Sequence, residues 1–298
     1  MGWAEYCALM LMATPRKIYS WLCRDRVLML GERTIVMGIL NVTPDSFSDG
    51  GSFSNPSAAV EHALEMAAQG ADIIDVGGES TRPGAEPVPV SEEIARVVPV
   101  IEQIRAQSDV FISIDSMKAE VALQALNAGA DIINDVSALE ADPVMAEVAE
   151  KMRAGIVLMH MKGSPKTMQE SPSYGDVVKD ISSYLRARLD YADQNGIHRD
   201  RIVIDPGIGF GKTPEHNLAL LRRLPVMSEC DRPVLIGASR KSFIGHVTGR
   251  DDPVQRKSGS LGVAAWAIFQ GAHILRVHDV IDTCDICRVM DKLTYGKD

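Results

Sequence analysis

Eight short stretches rich in β-branched and aliphatic residues fall at 34–41, 72–76, 110–115, 131–136, 155–160, 201–205, 233–239 and 273–278. Between them apolar residues return every three to four positions, so strand and amphipathic helix alternate along the chain. Ile202-Val203-Ile204 is apolar without alternation, as a strand covered on both faces of a parallel sheet has to be. Val60, Ala63, Leu64 and Ala67 make the inward stripe of one predicted helix, which Asn55 and Pro56 begin and Gly70 ends. Ser91 stands where it would cap the next, whose Ile94, Val97, Val98 and Ile101 face the sheet. A Gly-Ala pair at 70–71, 129–130 and 271–272 joins a helix end to an incoming strand each time.

Eight βα units predict a single (β/α)8 TIM barrel, with an open doubly wound sheet as the alternative that periodicity alone leaves standing. Val27 to Leu30 and Thr34 to Val36 flank Gly31-Glu32-Arg33, which reads as an N-terminal β-hairpin able to plug the barrel's N-terminal mouth. Residues 1–20 read as a poorly ordered extension and 21–298 as the catalytic domain. The apolar run at 8–12 follows Glu5 and precedes Arg16-Lys17, the wrong polarity for a signal peptide, and it is too short to span a bilayer.

A net charge of -9 argues against a broad basic face for nucleic acid or anionic lipid, so no nucleic acid and no membrane is expected as partner. Five cysteines without a spacing framework suit a reducing cytoplasm. Cys284 and Cys287 form a C-x-x-C, but with Val280 they follow helical spacing and read as helix core.

Candidate chemistry gathers at the strand ends: Asn41, Asp75, Asp115, Asn134 with Asp135, His160, Asp205, Ser239 with Lys241, and Arg276 with His278. In a barrel these positions share one mouth, where active sites are built. Asp75 and Asp135 serve equally well as helix caps. Arg276 and His278 alternate on one strand and so share a side, with Lys241 one strand away, which together suggest a phosphate pocket. The stretch from Asp205 to Thr213 looks like a P-loop, but Pro206 stands where its first glycine belongs. What remains is a glycine-rich turn that lets a flat substrate approach, with Phe210 placed to stack on it. The polar loops at 41–51 and 77–84 read as lids.

Seven motifs carry a resemblance. They are M-G-I-L-N-V-T-P-D-S-F-S-D-G-G from Met37, D-V-G-G-E-S-T-R-P-G from Asp75, I-N-D-V from Ile133 and M-H-M-K-G-S-P-K-T-M-Q from Met159. D-P-G-I-G-F-G-K from Asp205, S-R-K-S from Ser239 and R-V-H-D-V from Arg276 complete the set. In this order they resemble the bacterial dihydropteroate synthases of the pterin-binding enzyme family over nearly all of 27–293. The resemblance implies a (β/α)8 barrel that joins 6-hydroxymethyl-7,8-dihydropterin diphosphate to p-aminobenzoate and releases pyrophosphate with Mg2+. It implies that Asp115, Asn134 and Asp205 read the pterin ring and that Lys241 donates to its oxygen or N5 side. By the same likeness, Asn41 helps hold Mg2+, while Thr81, Arg276 and His278 bind phosphate oxygens. Asp45 and Arg82 join catalysis from the first two loops, and Phe47, Pro83, Phe210 and Ser242 form the p-aminobenzoate site. A homodimer is implied as well. Two alternatives stay in view, a pterin-dependent methyltransferase domain and a catalytically silent pterin-binding protein; the first needs no diphosphate pocket and the second no Asn41, Arg82 or Lys241.

Overall fold

A computed structural model describes residues 14, 16–42, 56–80, 84–163, 166–168 and 172–296. Eight strands form one parallel sheet in these residues: β3 (Ile35–Asn41), β4 (Ile73–Gly77), β5 (Phe111–Asp115), β6 (Ile132–Asp135), β7 (Gly155–Met159), β8 (Ile202–Asp205), β9 (Leu235–Ile236) and β10 (Ile274–Val277). Their order is β8-β7-β6-β5-β4-β3-β10-β9, and a parallel bridge from Ile204 to Val234 joins the two ends, so the sheet closes into the expected barrel. Helices α1 (Pro56–Ala68), α2 (Val90–Arg105), α3 (Ala119–Asn127), α4 (Met145–Lys151), α5 (Val177–Gln194) and α6 (Pro214–Arg222) follow β3 to β8 in turn, one after each strand. Helices α7 (Ser242–Thr248) and α8 (Lys257–Phe269) follow β9, and α9 (Val280–Tyr295) follows β10.

Strand periodicity of two sorts the side chains into two separate apolar bodies. Ile74, Val76, Ile112, Ile114, Ile156 and Leu158 point outward into a core shared with the helices. Ile35, Met37, Ile73, Ile132, Val157, Val203, Leu235 and Ile274 point inward and fill the N-terminal end of the barrel. Two residues further along the same inward rows stand Asp75, Asn134, Asp205 and Arg276, so the alternation that buries the apolar layer also aims the polar one.

The plug exists, but one strand earlier than expected. Strands β1 (Tyr19–Cys23) and β2 (Arg26–Leu30) pair antiparallel, Tyr19 opposite Leu30, around a turn at Arg24-Asp25, where Arg24 takes φ 58. Gly31-Glu32-Arg33 is instead the link from β2 into β3. Trp21, Cys23 and Leu30 are buried against the inward apolar layer, and Trp21 Nε1 donates to the Arg201 carbonyl at 2.8 Å. The boundary expected at residue 20 therefore falls inside β1.

Helix ends follow the repeated Gly-Ala signal. Gly70, Gly129 and Gly271 have φ of +106, +115 and +93, and the next alanine amide returns to the carbonyl five residues back at 2.9, 3.0 and 2.9 Å. That is the Schellman closure, in which only glycine takes the left-handed position without strain. Ser91 is not a cap: α2 starts at Val90 with Pro89 before it, and its buried face is Glu93, Val97, Val100, Ile101 and Ile104, with Ile94 and Val98 at the margin. Cys284 and Cys287 are buried on α9 as expected, Cys284 Sγ pointing at the Gly70 carbonyl at 3.4 Å.

Because Trp21 is 1% exposed and seals a layer drawn from seven strands, Trp21→Ala is expected to lower unfolding free energy by about 3 kcal/mol. Urea denaturation reads it, and a loss under about 1 kcal/mol would show that the hairpin is not part of the closed barrel.

Candidate active site

The inward polar row is held by one guanidinium. Arg276 on β10 donates from Nε to Asp75 Oδ2 at 2.6 Å and from Nη2 to Asp115 Oδ2 at 2.5 Å, crossing from β10 to β4 and β5. Asn134 on β6 donates from Nδ2 to the same Asp75 oxygen at 3.1 Å. One cation between two buried carboxylates leaves a net negative charge, and burial drives the Asp115 carboxyl up to about 7 against the pull of Arg276, with Asp75 adding to the rise. Asp75 Oδ1 and Asp115 Oδ1 are buried with no partner among the described residues.

Neither Asp75 nor Asp135 is a helix cap: the helix after β6 starts at Met145 with Val144 before it, and Asp135 holds a tight turn instead. Its Oδ1 accepts from the amide and hydroxyl of Ser137 at 2.8 and 2.6 Å, and its Oδ2 from the Leu139 amide at 2.7 Å, fixing a turn in which Ala138 and Leu139 have positive φ. The expected pairing of Arg276 with His278 also changes: Arg276 turns inward to the carboxylates, while His278 Nδ1 lies 3.0 Å from Ser239 Oγ.

The glycine-rich turn packs on its own neighbours, not around an open slot. Gly207 has φ +68, and a Cβ there would come within 1.9 Å of the His160 carbonyl; a Cβ on Gly209 would come within 2.8 Å of Lys241 Cδ. Asp205 Oδ1 accepts the Gly207 amide at 2.7 Å, and burial raises its carboxyl against the nearby Lys241. Lys241 donates to the Ile208 carbonyl and lies 4.2 Å from the centroid of the Phe210 ring. Burial draws its ammonium down to about 7, with Asp205 opposing. Phe210 therefore has Lys241 on its ring and packs in a small cluster with Val136, Met159 and Met168.

Three residues outside the expected set hold these groups in place. Lys212, 2% exposed, donates to Phe210 O and lies against His160 Nδ1, both at 2.9 Å. Burial takes the His160 imidazole down to about 3, with Lys212 adding to the fall. Arg240 meets Asp279 through a fork at 2.6 and 3.1 Å and so ties the turn bearing Lys241 to the end of β10. Opposite charges in S-R-K-S and R-V-H-D were the available signal for that pair, and Lys212 was visible only as a misplaced Walker lysine.

Asn41 ends β3 half-buried, opposite Gly77, and Ser242 is the exposed first residue of α7. Asp45, Phe47, Thr81, Arg82 and Pro83 lie outside the described residues. The structure brings together Asp75, Asp115, Asn134 and Arg276, and separately Asp205, Phe210 and Lys241, at the C-terminal mouth.

The family model for pterin binding enzymes matches residues 37–278. The dihydropteroate synthase of Synechocystis sp. is 48% identical over 263 residues, covering 88% of this chain and 91% of that one. Among solved structures, the Xanthomonas albilineans dihydropteroate synthase with 4-aminobenzoic acid superposes with a TM-score of 0.87 at 46% identity, over 93% of this chain and 98% of that one. A structure of the Xanthomonas albilineans enzyme in complex with 7,8-dihydropteroate gives a TM-score of 0.82 at 44% identity, over 91% and 97%. Likeness of this extent, along a chain whose inward strand rows carry the expected carboxylates, settles where it belongs: it is a member of the pterin-binding enzyme family, among the dihydropteroate synthases.

Proposed function

We infer that the protein is a transferase that condenses 6-hydroxymethyl-7,8-dihydropterin diphosphate with p-aminobenzoate, giving 7,8-dihydropteroate and pyrophosphate in folate biosynthesis. The observation that carries this reading is the inward polar row in a barrel similar to relatives solved with 4-aminobenzoic acid and with 7,8-dihydropteroate. A pterin edge offers N–H donors beside ring acceptors, so it needs carboxylates and an amide deep in the barrel. Asp115 and Asp205 take the donors, Asp115 through the oxygen that Arg276 leaves unused, and Asn134 adds its amide. Lys241 turns from the Ile208 carbonyl to the ring's oxygen or N5 side.

In the reaction the bond from the methylene carbon to the diphosphate oxygen breaks, and its electron pair leaves with pyrophosphate. Positive charge left on the methylene spreads into the ring, and the amine lone pair forms the new C–N bond before its proton is lost to water. Catalysis here is stabilisation of charge on the leaving group and exclusion of water, not a strong base. Arg276 spends Nε and Nη2 on carboxylates, so its Nη1 is the donor for a diphosphate oxygen, beside His278 and Thr81. Asp45 and Arg82 belong to the same step, while Phe47, Pro83, Phe210 and Ser242 hold p-aminobenzoate. Among the described residues no three acidic, histidine or cysteine groups converge as a metal cage. A Mg2+ carried by the diphosphate and keeping waters fits that donor set, with the Asn41 amide oxygen as its protein contact; it would neutralise leaving-group charge.

A relative matched over 88% of this chain and 91% of its own length is a synthase, which leaves the methyltransferase alternative without support. The silent-binder alternative is disfavoured because Asn41 and Lys241 are in place. We propose further that the protein works as a homodimer in the cytoplasm. Exposed Ile281, Val289 and Leu293 on α9 support the first point and the buried thiols of Cys23, Cys230, Cys284 and Cys287 the second. No helix among the described residues is long and apolar enough to cross a membrane.

Purified protein given both substrates is expected to release pyrophosphate only when Mg2+ is present; a flat trace in a coupled assay would refute the assignment. Lys241→Ala should lower kcat/KM for the pterin diphosphate by about ten- to a hundredfold, the worth of a charged hydrogen bond, and unchanged kinetics would place Lys241 outside the site. As pH falls through about 7 the Asp115 acceptor is protonated, and as pH rises through about 7 Lys241 loses its ammonium, so the two limbs have opposite sign. The profile of kcat/KM is therefore expected to be a narrow bell centred near 7, and Lys241→Ala should abolish its alkaline limb; a flat profile from pH about 5 to about 9 would contradict both assignments.

A further inference from the structure

Beside the polar row lies a buried acid to which the reaction assigns nothing. Glu93, in the first turn of α2, is 1% exposed. Its Oε2 accepts from Lys118 Nζ at 2.5 Å, while its Oε1 is buried with no partner among the described residues. Lys118 also donates to Glu79 Oε2 at 2.5 Å and to the Val88 carbonyl at 2.6 Å, so all three ammonium N–H groups are spent within the cluster. Partial burial pulls that ammonium down, yet Glu79 and Glu93 outweigh it and keep Lys118 above its ordinary range. Gly78 admits the acid to this place, since a Cβ there would come within 3.0 Å of Glu93 Cγ and 2.8 Å of Val97 Cγ1.

A cavity of about 10 Å³, room for one water, joins the cluster to the pterin floor, and its polar lining is Glu79, Glu93, Asp115, Ser116 and Lys118. Asp115 Oδ1, like Glu93 Oε1, is buried without a partner among the described residues, and one water donating to both would satisfy the two together. The charged groups facing Asp115 are Arg276 on β10, Asp75 on β4, Asp135 on β6, Lys241 after β9 and Glu93 on α2. Burial is the main cause of the raised Asp115 carboxyl and Arg276 opposes it, while Asp75, Glu93 and Asp135 add to the rise. Of these three acids, Glu93 is the one that a helix supplies from outside the strands.

We propose that Glu93, held by Lys118, is a positioning residue for Asp115: across the shared cavity its fixed negative charge governs when the pterin-reading carboxylate is ionised and able to accept the ring's N–H donors. The proposal rests on the reading given above, in which Asp115 takes a donor from the pterin. Removing a like charge favours the ionised form, so without Glu93 the carboxylate persists to lower pH.

Glu93→Gln tests this in the full chain, because it keeps the side chain's shape and an oxygen for Lys118 and removes the charge. The acid limb of kcat/KM is expected to move down by about half a pH unit with the alkaline limb in place, so the ratio of kcat/KM at pH about 6 to that at pH about 8 rises about threefold. Glu93→Asp, which restores the charge, should return the limb toward the parent. With aspartate carboxyl carbons labelled, the NMR midpoint of Asp115 should fall by the same half unit or so in Glu93→Gln. An acid limb and an Asp115 midpoint that stay put, or a kcat/KM lowered equally at every pH, would overturn the proposal. Should Glu93→Gln fail to fold, the parent labelled at glutamate as well answers instead: the Glu93 carbon should show an inflection at the Asp115 midpoint, and its absence overturns the coupling. If the parent forms no dihydropteroate, the functional reading fails on its own, and the carboxyl titrations still report on the pair.

Discussion

Arg276 lies between two carboxylates inside a closed sheet, and much else in the molecule follows from satisfying it. A buried guanidinium without partners would cost far more than the fold's margin, and removing one partner of such a network typically costs about 3–5 kcal/mol. Asp75 and Asp115 reach it from β4 and β5, while β3 intervenes between β10 and β4 in the sheet, so the contact crosses the inner face of the sheet and ties strands that are not ladder neighbours. Asn134 extends the network to β6. The same contact leaves an excess negative charge and two unused carboxylate oxygens, which is what a ligand rich in N–H donors requires.

Around that centre stand residues that hold others in place. Asp135 shapes a turn, His160 and Lys212 join the end of β7 to the glycine-rich turn after β8, and Arg240 with Asp279 fixes the segment bearing Lys241. Each is buried or half-buried, polar and fully engaged, the condition under which a polar group rigidifies a site and does not weaken it. Electrostatics at the mouth are correspondingly poised, with a carboxyl raised and an ammonium lowered to meet near the same pH.

All eight strands were legible from the hydrophobic pattern because period-two rows and helical stripes are local properties. The hairpin was displaced because Gly31-Glu32-Arg33 has turn composition, whereas the real turn at Arg24-Asp25 lacks glycine and is set by Trp21 and Cys23 finding the barrel's apolar layer. Which strand ends bring polar side chains to the inner face was readable; what each one touches was not. Spacing put Arg276 and His278 on one side of a strand, but the charge of Asp75 and Asp115, distant in sequence, decides where the guanidinium goes. Phe210 looked like an open stacking surface because no local pattern reveals that Lys241 covers its ring.

The hairpin sealed by Trp21 gives the barrel a single door. Beneath the polar row lie the inward apolar layer and then the plug, so traffic through the N-terminal end is barred. A molecule seated on the carboxylates can be reached only from above, and one resting nearer the rim blocks its exit. Two ligands stacked in that way would have to arrive from the deep seat outward and leave in reverse, a queue imposed by a pair of strands at the opposite end of the barrel.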